Sequence, residues 1–177
     1  LPIWMGINVV TGNTLEEIEQ MGIVPEGYND YRYDYAEEWT SVLKVLWSQE
    51  KTDHKGRFFK LTNCVSAPKP RQKPYPLIVS AGTSDEGLRY GAKHSDYQFI
   101  GVRPEEINKV RAFAAEEGRS IKIATNIFIL PANTDAEAEA EFAKIREELD
   151  HEALENLIAS FDRDHRDSYG KRTSWLR

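Results

Sequence analysis

Residues 77–130 read LIVSAGTSDEGLRYGAKHSDYQFIGVRPEEINKVRAFAAEEGRSIKIATNIFIL, and this stretch decides the fold. Short apolar runs at 77–81, 97–100 and 121–130 predict three strands. A helix is predicted from residue 86 to about 94, and another from Pro104, a residue type suited to a first helical turn, to about Gly118. Strands that alternate with helices in this way predict a parallel α/β sheet.

The alternation extends in both directions from this stretch. Upstream, residues 7–10 predict a buried strand, and residues 31–47 predict a helix because large apolar residues recur at three- and four-residue steps. Residues 54–61 predict a hairpin with Gly56 in its turn. Downstream, residues 135–149 predict a further helix. The chain therefore contains about four strand–helix units.

The composition is that of an ordinary globular domain. The 177 residues suit a single domain, and 40% of them are hydrophobic and 29% charged. The net charge of −6 disfavours a nucleic-acid partner, because affinity for a phosphate backbone needs a clustered basic surface. No apolar run approaches the roughly 18 residues of a membrane span, and no leader pattern opens the chain. Cys64 is the single cysteine, so we expect a cytoplasmic protein without an intrachain disulfide. The absence of a long apolar run also predicts no membrane partner.

Two groups of polar residues, one inside a predicted strand and one directly after a strand, are candidates for a functional site. Asn8 lies inside the first strand, and a buried amide left without a hydrogen bond costs roughly 1–3 kcal/mol. It is therefore either satisfied by neighbouring backbone or a group that faces an active site. The second feature, Gly82-Thr83-Ser84, lies between a strand and a helix. Its amide groups and the Ser84 hydroxyl suit a phosphate, and the alternative is a plain helix cap.

The start of the long helix is a third candidate. Arg32 places a cation near a helix N-terminus, where it opposes the helix dipole, so it needs a partner: an acidic side chain or a ligand phosphate. Tyr33 is a candidate to lie over a ligand, whereas Tyr35 belongs to the packed face of the helix. No metal is expected, because the four histidines lack metal-ligand spacing, and no serine–histidine–aspartate pattern is present.

Several stretches of the sequence, in the same order along the chain, resemble a known family. They are Gly6–Gly12 (GINVVTG), Glu17, residues 20–23 (QMGI), residues 32–35 (RYDY), residues 43–47, residues 54–59 (HKGRFF), residues 68–70 and residues 80–87 (SAGTSDEG). Together they resemble the central segment of the luciferase-like, FMN-dependent two-component monooxygenases. The branch most similar to them opens the uracil ring. Asn13 stands where that branch has an aromatic residue, so the substrate need not be shared.

The resemblance implies roles at the matching positions. Asn8 lies beside the flavin ring and is the implied catalytic residue, and Glu17 is a further contact in the flavin site. Arg32 and Tyr33 hold the ribityl-phosphate arm. Ser84 and the adjacent amide groups, including that of Thr83, hold the phosphate.

The resemblance also implies a fold and a reaction. The fold is a (βα)₈ barrel of the bacterial-luciferase type. The reaction inserts one oxygen atom of O₂ into a small organic substrate, with reduced FMN supplied by a separate NAD(P)H-dependent flavin reductase. The protein is expected to be a homo-oligomer. Two alternatives stay open: a deazaflavin-dependent oxidoreductase of the same fold, and a shortened, non-catalytic flavin-binding relative.

The barrel is expected to be only partly represented. A closed barrel takes eight strands and typically ~250 residues, so residues 1–177 are expected to form one incomplete domain. The first strands and the last strand of the family are expected to be absent, and a stretch of this chain is expected to be missing near residues 5–7.

Overall fold

A computed structural model describes residues 4–12, 20, 22 and 26–164. The strands within this part of the chain are β1 (Gly6–Val9), β2 (Thr52–Lys55), β3 (Lys60–Cys64), β4 (Leu77–Ser80), β5 (Tyr97–Phe99) and β6 (Lys122–Ala124). The helices are α1 (Tyr28–Ser48), α2 (Asp85–His94), α3 (Pro104–Glu116), α4 (Asp135–Glu147) and α5 (His151–Asp164). No helix in the described ranges is long and apolar enough to cross a membrane.

Four of the strands form a parallel sheet in the order β1-β4-β5-β6. Asn8 lies opposite Val79 in the pairing of β1 with β4, and Val79 lies opposite Tyr97 in the pairing of β4 with β5. The pairing of β5 with β6 continues this row from Tyr97 to Lys122. The prediction that the strands from 77, 97 and 121 are parallel neighbours is confirmed. Because the strands are parallel, their carboxyl ends share one edge of the sheet.

The two faces of the sheet are covered differently. Ile78, Ser80 and Gln98 are buried beneath the helices. Side chains alternate between faces along a strand, so Leu77 and Phe99 belong to the opposite face, where both are more than a third exposed. The sheet is therefore covered by helices on one side and open on the other within the described part of the chain.

The main apolar core lies between α2, α3 and the sheet. Its buried residues are Leu88, Ala92, Ile100, Val110, Phe113, Ala114 and Ile121. Full burial of a side chain as large as leucine or phenylalanine stabilises a fold by roughly 1.5–3 kcal/mol. This cluster therefore fixes α2 and α3 against β5 and β6, the strands that follow each of these helices.

Helix α1 joins this layer through α2. The hydroxyl oxygens of Thr40 and Tyr90 lie 2.6 Å apart in a buried hydrogen bond. Between α1 and β4, the strands β2 and β3 form the predicted antiparallel hairpin, which extends beyond residues 54–61 at both ends. Gly56 lies in its turn, as predicted, and its amide donates to the Phe59 carbonyl at 2.9 Å.

Three sequence predictions need correction. The strand predicted over 121–130 is only Lys122–Ala124 long. The apolar side chains of Ile127, Phe128 and Ile129 after it are exposed, with Phe128 at 74%, because no described element covers them. The strand predicted as buried over 7–10 is Gly6–Val9, an edge strand of the sheet whose Asn8 is exposed. The third is helix α5, which begins at His151, where no helix was predicted.

Candidate functional site

The candidate site lies where β1 and β4 end. Asn8 and Val9 pair with Val79 and Ser80, so the segment after β1 and the turn after β4 leave the sheet at the same edge. Asn8 is the third residue of β1 and is exposed, which corrects the expectation of a buried amide. The physical reason is that β1 is an edge strand, paired only with β4 among the described residues. No described element covers the face of the sheet that carries Asn8.

The turn after β4 ends in a capped helix. The Ser84 hydroxyl accepts a hydrogen bond of 3.2 Å from the Gly87 amide, so Ser84 is the N-cap of α2. Thr83 and Ser84 are both half-buried at this helix N-terminus. Amide groups in the first turn of a helix have no partner within the helix and favour an anion.

Acidic side chains in the first turn of α2 oppose anion binding. Asp85 and Glu86 are both exposed there. The Lys109 ammonium group of α3 lies 2.5 Å from a carboxylate oxygen of Asp85. This ion pair offsets one of the two negative charges, so the N-terminus retains part of its attraction for an anion.

The Tyr33 hydroxyl lies against the same turn. A Cβ added at Gly82 would meet this hydroxyl oxygen at 2.9 Å, and a Cβ added at Gly87 would meet it at 2.7 Å. The two glycines also approach each other, since a Cβ on Gly87 would lie 2.8 Å from the Cα of Gly82. No side chain larger than hydrogen fits at either position without a shift. The two glycines therefore let α1 and the turn before α2 approach closely.

Arg32 lies beside Tyr33 on the first turns of α1. It is buried, with only 7% of its surface exposed, and its guanidinium lies 4.8 Å from the centre of the Tyr33 ring. Burial beside an aromatic ring restricts the movement of the guanidinium group, so its positive charge and its planar set of N–H donors are held in one place. The structure thus brings Tyr33, which Arg32 contacts, against the turn before Ser84, about fifty residues away in the sequence.

A cleft lies between the end of β1 and α1. Its volume is about 220 Å³, and it is lined by Asn8, Val9, Val10, Thr11, Tyr28, Tyr35, Ala36 and Trp39. The Tyr28 hydroxyl donates to the Thr11 carbonyl at 3.0 Å and ties the segment after β1 to α1. Burial raises the pKa of Tyr28, which keeps this hydroxyl protonated as a donor.

Other candidates fall outside this cluster. Glu17, the further flavin-site contact implied by the resemblance, lies outside the described residues, as does Asn13. In the part of the chain that the structure describes, no three His, Cys, Asp or Glu side chains are grouped as metal ligands would be.

Gln98 is a residue near the site that sequence reasoning missed. Its side-chain amide donates to the Gly82 carbonyl at 2.7 Å, and the side chain is fully buried. The signal was present, because Gln98 is a polar residue inside an apolar strand, as is Asn8.

A comparison with known families decides the classification. The family model described as luciferase-like monooxygenase matches residues 5–175. The chain belongs to the luciferase-like monooxygenase family. This agrees with the resemblance drawn from the sequence stretches between Gly6 and Gly87.

Individual relatives show how much of the family's length this chain represents. Pyrimidine monooxygenase RutA of Acinetobacter baylyi is 33% identical over 162 residues, which are 86% of this chain and 43% of that protein. A riboflavin lyase (RcaE), solved with modified FMN and riboflavin, is 25% identical with a TM-score of 0.71, over 79% of this chain and 38% of that one. DmoA from Hyphomicrobium sulfonivorans is 22% identical with a TM-score of 0.76, over 88% of this chain and 40% of that one, and supports the fold. The chain spans about half the length of the curated relatives it matches.

Proposed function

We propose that this chain binds FMN as part of a flavin-dependent monooxygenase. The enzyme would insert one oxygen atom of O₂ into a small organic substrate, with reduced FMN supplied by a separate NAD(P)H-dependent reductase. The observation that carries the proposal is the convergence of Tyr33 on Gly82 and Gly87, which sets the start of α1 beside the helix N-terminus capped by Ser84.

The donors in this cluster suit a phosphate monoester. The Ser84 hydroxyl and the amide of Thr83 are neutral donors at a helix N-terminus, and Arg32 adds a positive charge beside Tyr33, whose hydroxyl lies against this turn. The glycines let the Tyr33 hydroxyl approach the backbone closely, which sets the start of α1 beside these donors. These residues would hold the phosphate arm of the cofactor, as the family resemblance implies.

Asn8 would act at the other end of the cofactor. It lies near the carboxyl end of β1, the end at which (βα)₈ barrels place their active sites. Its amide can donate a hydrogen bond without carrying a charge, and its exposure on the open face leaves it accessible to a ligand. When bound, reduced FMN supplies the two electrons needed to use O₂ as an oxygen donor.

The relatives support the same reaction class. The Acinetobacter baylyi relative is named a pyrimidine monooxygenase, and the riboflavin lyase was solved with modified FMN. Both names fit flavin-dependent chemistry, and the first fits oxygen insertion. The substrate is left as a small organic molecule.

The test compares FMN with riboflavin, which lacks the phosphate. Fluorescence titration of the purified chain should show tighter binding of FMN than of riboflavin. With a flavin reductase, NADH and uracil as a trial substrate, the enzyme should give oxygenated product, whereas the reductase and free FMN alone give only peroxide. Equal affinity for the two flavins would contradict the phosphate site. Binding of a deazaflavin in preference to FMN would favour the alternative oxidoreductase.

A further inference from the structure

Gln98 is a buried polar side chain of the sheet that contacts the turn at residues 82–84, the proposed phosphate site. It lies on β5 with 0% of its surface exposed. Its Nε2 donates to the Gly82 carbonyl oxygen at 2.7 Å, whereas its Oε1 has no hydrogen-bond partner among the described residues. Burial of an amide oxygen without a partner is unfavourable, so a leucine or methionine would suit this position better if only packing mattered.

The neighbouring Gly91 provides space for this side chain. A Cβ added at Gly91 of α2 would lie 1.8 Å from the Gln98 Oε1 atom and 3.5 Å from the Ser80 hydroxyl oxygen. Gly91 therefore allows Gln98 to reach between the sheet and α2. Tyr33 contacts the Gly82 turn from α1, so α1 and β5 each contribute a side chain that contacts it.

The hydrogen bond to Gly82 has a consequence for the next amide. In a planar trans peptide, the carbonyl of one residue and the N–H of the following residue point in opposite directions. Because the Gly82 carbonyl points at the buried Gln98, the Thr83 N–H points away from it. The Thr83 amide is one of the donors assigned above to the phosphate.

We infer that Gln98 is a positioning residue that orients the Thr83 N–H toward the phosphate of the bound flavin by holding the Gly82 carbonyl. This inference rests on the proposed function. It explains why an amide with one unsatisfied oxygen occupies a fully buried strand position.

The experiment uses Gln98→Met, which keeps the length of the side chain and removes the donor. In the parent, FMN should bind more tightly than riboflavin. Gln98→Met should weaken FMN binding about tenfold, which corresponds to losing one well-placed hydrogen bond to a charged group, and should change riboflavin affinity by less than about twofold. Gly91→Ala should reproduce this loss, because its new Cβ would displace Gln98 without changing it.

A control variant separates this effect from a loss of stability. Val110→Ala removes buried volume in the core between α2 and α3, away from the Gly82 turn. It should lower the midpoint of urea unfolding and leave the ratio of FMN to riboflavin affinity unchanged. A Gln98→Met variant with the parent's ratio would overturn the inference.

Amide hydrogen exchange in the flavin-free protein provides a second measurement. Gln98→Met should accelerate exchange at Gly87, whose amide donates to the Ser84 hydroxyl in this turn, and Val110→Ala should not do so selectively. Unchanged exchange at the Gly87 amide would also overturn the inference. If the parent itself shows no preference for FMN, the proposed function fails, and the role of Gln98 toward a phosphate fails with it. If the parent prefers FMN and Gln98→Met does too, only the inference about Gln98 fails.

Discussion

Nε2 of His54 lies 2.9 Å from Oε1 of Glu38, and this contact joins the β2–β3 hairpin to α1. The same carboxylate accepts backbone hydrogen bonds from the turn residues Arg57, Phe58 and Phe59 at 2.9–3.0 Å. A Cβ on Gly56 would lie 1.9 Å from Oε1 of Glu38. Glycine is therefore needed in this turn because the carboxylate approaches so closely.

The first prediction concerns Glu38 and acid stability. Partial burial acts to raise its pKa, but hydrogen bonds from His54 and from the backbone amides of the turn outweigh this and lower the pKa to about 2. The folded-state pKa is below the usual 4.5, so this group's contribution is fully present above that pH and is lost as the pH falls toward 2. Urea unfolding of Glu38→Gln between pH 2 and 5 should show a shallower pH dependence than the parent.

Asp34 provides a matched control for Glu38. Its carboxylate also reaches the turn, through Arg57 at 3.1 Å, but its side chain is 67% exposed. Exposed ion pairs contribute little, so Asp34→Asn should leave the pH dependence close to that of the parent. Equal effects of the two variants would show that the Glu38 hydrogen bonds do not control acid stability.

The second prediction concerns His94 at the end of α2. The side chain is buried and stacks on Tyr90, with ring centres 5.3 Å apart. Burial, opposed by the nearby Glu37 carboxylate, lowers the pKa of His94 from 6.5 to about 4. Between these values the unfolded chain binds a proton that the folded protein does not, so stability falls as the pH decreases through this range.

The corresponding variant is His94→Phe, which retains an aromatic ring against Tyr90. It should remove a slope of up to about 1.4 kcal/mol per pH unit between pH 6.5 and 4, whatever its effect on stability at neutral pH. Thermal or urea unfolding at several pH values measures this slope. The exposed His151 is the control, and a similar change in slope for His151→Asn would contradict the assignment.

The third prediction separates the two roles of Ser84. Ser84→Ala should cost roughly 1 kcal/mol of stability through the lost N-cap, and about 1.5–3 kcal/mol of FMN affinity through the lost hydrogen bond to the phosphate. Ser84→Asp preserves a capping side chain but adds a negative charge beside the phosphate. Calorimetric titration should show weaker FMN binding by the aspartate variant at near-parental stability. Parental FMN affinity in both variants would leave Ser84 as a helix cap alone.

The fourth prediction concerns Arg32. Arg32→Lys keeps a positive charge but loses the planar fork that can bind a phosphate at two points. Affinity for FMN should fall by a larger factor than affinity for riboflavin, as measured by parallel titrations. Equal losses for the two ligands would indicate that Arg32 supports α1 and its contact with Tyr33 instead.

The fifth prediction concerns Asn8 and mechanism. Asn8→Leu should leave FMN affinity within about twofold, because the proposed phosphate donors lie on α1 and in the turn before α2. A positioned donor to developing charge can contribute roughly 10²–10³ in rate, so product formation should fall and peroxide release should rise. The measurement is product and peroxide per reduced FMN supplied, with uracil as the trial substrate. Parental coupling in Asn8→Leu would show that Asn8 is not the catalytic amide.

The parts of the fold that sequence predicted are those with local signals. The apolar run at 77–81, the turn residues that follow it and Pro104 each specify a local conformation, and β4, α2, β5 and α3 lie close to where they were predicted. The run at 121–130 was misjudged because apolar character continues beyond Ala124, while strand pairing with β5 does not. An apolar run in the sequence indicates hydrophobicity, but a strand forms only where a neighbouring strand offers free backbone hydrogen-bonding groups.

The sequence by itself determined the family, the order of strands and helices, and the residue types at the candidate site. Only the tertiary structure decided that the Tyr33 hydroxyl lies against Gly82 and Gly87, that Gln98 holds the Gly82 carbonyl, and that Glu38 binds the hairpin turn. The physical reason is that helix and turn preferences act over a few neighbouring residues. These three contacts join residues 16 to 54 positions apart, and they form only when the hydrophobic core has set α1 and α2 against the sheet.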